Sequence, residues 1–82
     1  MCEMKRIEGR KGTPAEFVEF RPYIDGPYFV AQLSKWLDQP VWFVYEVGKG
    51  KKCGVKTLAE YETKRGAVRY AEKVCREYEQ SH

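Results

Sequence analysis

Apolar and polar positions first organise the chain around Val41-Trp42-Phe43-Val44-Tyr45-Glu46-Val47, bounded by Pro40 and Gly48. All of these residues except Glu46 are β-branched or aromatic, the types that fit a pleated, half-buried surface, and the run predicts a β-strand. Side chains alternate along a strand, so Val41, Phe43, Tyr45 and Val47 share one face and Trp42, Val44 and Glu46 the other. Neither face is polar. The strand is therefore expected to be central, covered by helices on one face and shielded by, or offered to, a partner on the other.

Upstream, Lys5, Arg6, Arg10 and Lys11 surround two glycines, and residues 1–14 read as a flexible basic arm or a short edge strand. Thr13-Pro14-Ala15-Glu16 has the form of a helix start, but Arg21-Pro22 would stop that helix almost at once, so 16–23 is expected to be extended. Asp25-Gly26-Pro27 supplies a second cap and a first-turn proline. Phe29, Val30, Leu33, Trp36 and Leu37 then fall at i, i+1, i+4, i+7 and i+8, a stripe that predicts a helix over 27–38. As a strand, the same segment would put Phe29, Ala31, Leu33 and Leu37 on one face, broken by Lys35.

Downstream, Gly48-Lys49-Gly50-Lys51-Lys52-Cys53-Gly54 reads as a hairpin loop. Val55, Thr57, Ala59 and Tyr61 alternate with Lys56, Leu58, Glu60 and Glu62, as in a returning antiparallel strand whose charges suit an edge. Thr63 caps the last element, where Ala67, Val68, Ala71, Val74, Cys75 and Tyr78 recur at helical spacing over 63–79. Gly66, in its first turn, leaves room for close approach to the sheet. The order is β-α-β-β-α. The expected fold is a single α+β domain over 1–82, a small antiparallel sheet of about three strands with two helices packed on one face. Trp36, Phe43, Val68, Ala71, Val74 and Cys75 are the expected core.

Composition narrows the function more than it names it. An 82-residue chain with 43% hydrophobic and 15% aromatic residues suits a folded globule rather than a disordered tail. No apolar run approaches the roughly 18 residues of a membrane span, and a soluble, cytoplasmic protein is expected. Cys2, Cys53 and Cys75 are odd in number and widely spaced, which argues against a disulfide framework. The net charge of +3, from 15 basic and 12 acidic residues, permits a polyanionic partner without requiring one.

Catalytic chemistry is poorly supplied. His82 is the one histidine, Ser34 and Ser81 lack a placed base, and Cys75 lies on the apolar stripe of its helix. Neither a phosphate-loop pattern nor zinc-ligand spacing is present. No enzyme activity, metal or cofactor is expected. The remaining signal is electrostatic and aromatic: Lys49, Lys51 and Lys52 in the hairpin, Arg65, Arg69 and Arg76 on the polar side of the last helix, and Trp42 or Tyr45 as an aromatic anchor.

Residues 41–75 carry a strand with an early Trp, a Gly/Lys hairpin, a second strand and Thr63-Lys64-x-x-Ala67-x-x-x-Ala71. This pattern resembles small bacterial and phage domains in which a β-meander ends in a T-K-x-x-A helix, the arm-type DNA-binding domains of phage integrases among them. The chain departs from it at Gly66, where an acidic residue is usual, and by the helix expected over 27–38. In size, charge mix and scarcity of catalytic residues the chain also resembles phage-encoded anti-CRISPR inhibitors, with which it shares no motif. The first resemblance permits DNA binding through the sheet; with the mixed charge, the expected function is a binding protein that docks on a nucleic-acid-handling protein complex, as a phage or mobile-element inhibitor or accessory factor. Direct DNA or RNA binding through the Lys49–Lys52 hairpin and the Arg65, Arg69 and Arg76 face is the alternative. Glu72 and Glu79 interrupt that basic stripe, which favours the protein partner. Self-association into a homodimer through an exposed sheet face is the third reading.

Overall fold

The computed structural model describes residues 4–12, 16–24, 26–36, 39–48 and 54–81. The strand expected at 41–47 is present and longer, as β4 (Gln39–Val47). It pairs along its whole length with β3 (Tyr28–Trp36), from Tyr28 opposite Val47 to Trp36 opposite Gln39. Pro40 lies inside β4, opposite Lys35 and beyond the stretch of β4 that pairs on its other side, where a missing N–H breaks no ladder. The segment expected to be helical over 27–38 is therefore a strand. A helix would bury one stripe; as a strand the segment buries Phe29 and Ala31 on one face and half-buries Val30 on the other, while hydrogen bonding to neighbours on both sides.

β2 (Phe17–Arg21) pairs with β3, as the extended reading of 16–23 required. β1 (Lys5–Gly9) pairs with β2, so part of the basic arm is an edge strand. Left-handed backbone at Arg10 (φ 55°) and Gly12 (φ 82°) turns the chain away from β1. β5 (Val55–Tyr61) returns beside β4, and a hydrogen bond of 2.9 Å from the Gly48 N–H to the Gly54 carbonyl closes the hairpin between them. The result is a five-stranded antiparallel meander in the order β1-β2-β3-β4-β5. With one C-terminal helix, α1 (Lys64–Ser81), it replaces the expected three strands and two helices.

α1 forms as the sequence indicates. Thr63 Oγ1 accepts the Gly66 N–H at 3.2 Å, a side-chain cap for a first-turn donor that would otherwise lack a partner. Gly66 is required by packing: a Cβ there would lie 2.9 Å from the Tyr61 ring. The helix crosses β2 to β5 and leaves β1 uncovered. Ala67, Val68, Ala71 and Cys75 are buried against Val18 and Phe20 of β2, Phe29 and Ala31 of β3, and Trp42 and Val44 of β4. Val74 packs on this cluster partly buried, whereas Phe43, expected in the core, is on the opposite face and half-buried. The Trp36 side chain is outside the described residues.

A second tie fixes the start of the helix. The Lys64 ammonium pairs with the Glu16 carboxylate just before β2 and sits 5.9 Å from the Trp42 ring centre. Lys64 first, and then the Gly12 N–H at 3.2 Å, hold the Glu16 carboxyl below the usual carboxylate range. The Thr63-Lys64-x-x-Ala67-x-x-x-Ala71 pattern is thus accounted for by folding: a cap, an ion pair to the sheet and two small buried contacts.

Candidate functional site: the open face of the sheet

The face of the meander turned away from α1 carries an aromatic and aliphatic patch over β3 and β4, interleaved with polar side chains. Register lines its residues up in rows across the strands. One row runs Phe17, Gln32, Phe43, Glu60, and the next runs Ile7, Glu19, Val30, Tyr45, Thr57. A further row joins Tyr28, Val47 and Val55, with Arg21 and Lys5 beyond it towards β1. Phe17, Tyr28, Val30, Val41, Phe43, Tyr45 and Val47 are all half-buried here, and Ile7 and Val55 are exposed at 37% and 66%. An apolar patch of this kind is a candidate interaction surface.

Its aromatic residues are held in place. The Phe43 and Tyr45 rings stack with centroids 5.9 Å apart and planes 25° from parallel. The Arg21 guanidinium lies 4.6 Å from the Tyr28 ring centre and pairs with Glu19 on the same strand face. That pairing raises the Arg21 pKa further above its already high ordinary value. Glu19 therefore brings no unbalanced charge into the face, and its side chain is only 13% exposed. A register irregularity between Val44 and Tyr45 pairs Val44 with Ala59 but Tyr45 with Thr57. It leaves Leu58 as the extra residue and keeps Ala59 and Tyr61 on the helix side.

The residues singled out from the sequence divide between surfaces. Tyr45 belongs to the open face. Trp42, its neighbour in the strand, is 6% exposed beneath α1 and serves the core instead of a partner. Arg65, Arg69 and Arg76 are exposed on α1, on the far side of the molecule from Tyr45, and Arg76 is paired with Glu72 at 2.7 Å. Lys49, Lys51 and Lys52 lie outside the described residues. Phe17, Tyr28 and Val30 were not legible as surface residues. The alternation of Val41, Phe43, Tyr45 and Val47 is the one signal that could have found their face, but alternation alone does not say which side a helix will cover.

Two other places have the shape or chemistry of sites. An open cleft of about 600 Å³ lies between the β1 edge and the C-terminal half of α1, over Phe20. Its charges are already engaged: Arg6 with Glu8 at 3.5 Å and over Phe20, Arg76 with Glu72, and Glu79 with the Tyr23 N–H. Among the described residues no three His, Cys, Asp or Glu side chains gather as metal ligands. Burial, and secondarily the charge of Glu79, push the Cys75 thiol up to about 12. In a chain with Cys2 and Cys53 replaced by Ser, Cys75 is expected to react with a thiol reagent at pH 8 at least ~100-fold more slowly than in the urea-unfolded chain. Equal rates would show the helix opening freely.

No helix among the described residues is long and apolar enough to cross a membrane. Comparison with known proteins finds no matching family model, no matching curated protein and no matching solved structure.

Proposed function

We propose that this protein is a binding module without catalytic activity. It works through the open face of its sheet, docking on a protein complex that handles nucleic acid in the manner of a small phage or mobile-element inhibitor or accessory factor. The observation that carries the reading is the apolar patch on this face, with its Phe43–Tyr45 stack and internally paired Glu19 and Arg21. Protein interfaces have this make-up: aromatic and aliphatic residues in the centre, with charge that is compensated or confined to the rim. The likeness to anti-CRISPR inhibitors in size and charge mix supports the choice of partner.

Direct binding of single-stranded nucleic acid is the second reading, for a specific reason. Lys5 and Arg21 face each other across β1 and β2 beside Tyr28, placing two cations at one end of the aromatic patch, although Arg21 is already paired with Glu19. Bases could stack on Tyr45 and Phe43 beyond. Glu19 and Glu60 in the same rows rank this reading second.

Phe43→Asp decides whether the face is used. It places a charge on the open face and leaves the helix side untouched, so circular dichroism should be unchanged. Partner capture is expected to fall at least ~10-fold, as for truncating a central interface residue, whereas Arg69→Ala should capture as wild type does. Equal capture by Phe43→Asp would remove the open face from consideration. Labelled single strands titrated at two salt concentrations test the second reading, where Z phosphate contacts give a log–log slope of about −0.7Z.

A further inference from the structure

We infer that, in the protein on its own, the open face is covered by the same face of a second copy related by a two-fold axis along β3. The inference rests on the reading of that face as the contact surface and adds what occupies it. It follows from the register. β2 and β4 flank β3 on its two sides, with rows Phe17–Gln32–Phe43 and Glu19–Val30–Tyr45 passing through it. A two-fold axis along β3 exchanges the places of β2 and β4. Phe17 then meets Phe43 of the second copy, and the Glu19 carboxylate meets a Tyr45 hydroxyl. Val30 and Gln32, on the axis, meet their own counterparts. Such a surface is self-complementary in the way an isologous contact requires.

Charge and size agree with this occupant. Glu19 and Arg21 enter the contact as a pair, so two copies bring no net charge together at that point. With strands about 4.8 Å apart, the open face over all five strands, which this axis maps onto itself, presents a footprint of roughly 550 Å², below the ~800 Å² that each partner contributes to a standard interface and suited to a weak, reversible dimer. The chain is thin, with extents of 39 × 29 × 20 Å, as expected for one sheet and one helix layer. Two copies stacked by their sheets make a four-layer α/β/β/α sandwich, with the sheets packed at about 10 Å as in other aligned pairs. Self-association and partner docking then compete for the same side chains.

Sedimentation of the full chain from micromolar to submillimolar concentration should show reversible conversion of the 9.6 kDa chain to twice that mass. Val30→Arg, on the axis and on the open face, should weaken that conversion at least ~10-fold with an unchanged circular dichroism spectrum, as an unpaired charge at an interface centre does. Geometry is tested separately, in a chain with Cys2 and Cys53 replaced by Ser. There a short bis-thiol cross-linker should join Val30→Cys to its counterpart, the facing Cα atoms at about 10 Å being too far apart for a direct disulfide, and it should not join Lys73→Cys on the outer side of α1. A wild-type chain that stays monomeric throughout, or Lys73→Cys cross-linking as readily as Val30→Cys, overturns the inference. A monomer whose partner capture still depends on Phe43 removes the second copy and leaves the docking reading standing. A monomer that binds single strands removes both.

Discussion

Trp42→Ala is expected to cost roughly 3–5 kcal/mol, the range for emptying a large buried aromatic site. A chain of this length has a total stability on the order of 4–12 kcal/mol. The variant should therefore unfold at a much lower urea concentration than wild type, and at the lower end of that range it should be largely unfolded without denaturant. The indole is 6% exposed between β4 and α1, with Lys64 above it, and losing it opens the contact that seats the helix. Tyr45→Ala, three residues along the same strand on the other face, should cost less than about 1 kcal/mol, as substitutions outside the core usually do. Urea melts of the two variants compare one aromatic in the core with one outside it. Comparable losses would mean that both faces of the sheet are covered in the folded chain.

Ala71→Asp should be similarly severe, and its severity should depend on pH. Ala71 is fully buried on the helix side of the sheet. A carboxylate there has no described cation to meet in the core, and an uncompensated buried charge costs roughly 3–5 kcal/mol. Burial raises the carboxyl pKa in the folded state above its unfolded value. The unfolded chain then binds fewer protons than the folded one between those two values, so the defect grows as pH rises through that window and shrinks towards acid. Denaturation at pH 4 and pH 7 checks this, each against wild type at the same pH. A defect independent of pH would mean that the helix moves to hydrate the carboxylate.

Local signals read correctly where one element decides its own structure. Thr63 caps α1, Ala67 to Cys75 bury the helix, and β4 and β5 form the hairpin their alternation predicts. They failed where neighbours decide. Phe29, Val30, Leu33 and Trp36 fit a helical stripe because β3 is the middle strand, and a strand with apolar contacts on both faces loses the period-two signature. Its two ladders, to β2 and β4, involve residues that no window over 27–38 contains. The same non-locality hid the candidate site. Alternation separates Tyr45 from Trp42 but sorts a strand into two faces without saying which one the helix covers, so it could not tell that Tyr45 and Phe43 lie on the open face and Trp42 in the core. Phe17 and Val30 join the open face only once the register is known.

The order of the strands has a consequence for synthesis. Each strand pairs with the one before it in sequence, so the sheet can assemble hairpin by hairpin as the chain leaves the ribosome, from contacts with small loop-closure cost. The helix that covers Val18, Phe20, Phe29 and Val44 is made after all five strands. Until its 18 residues emerge, the apolar side of the growing sheet that it will cover is exposed. The interval between completing Tyr61 and releasing Ser81 is therefore when the nascent chain is most exposed to aggregation and most in need of a holding chaperone.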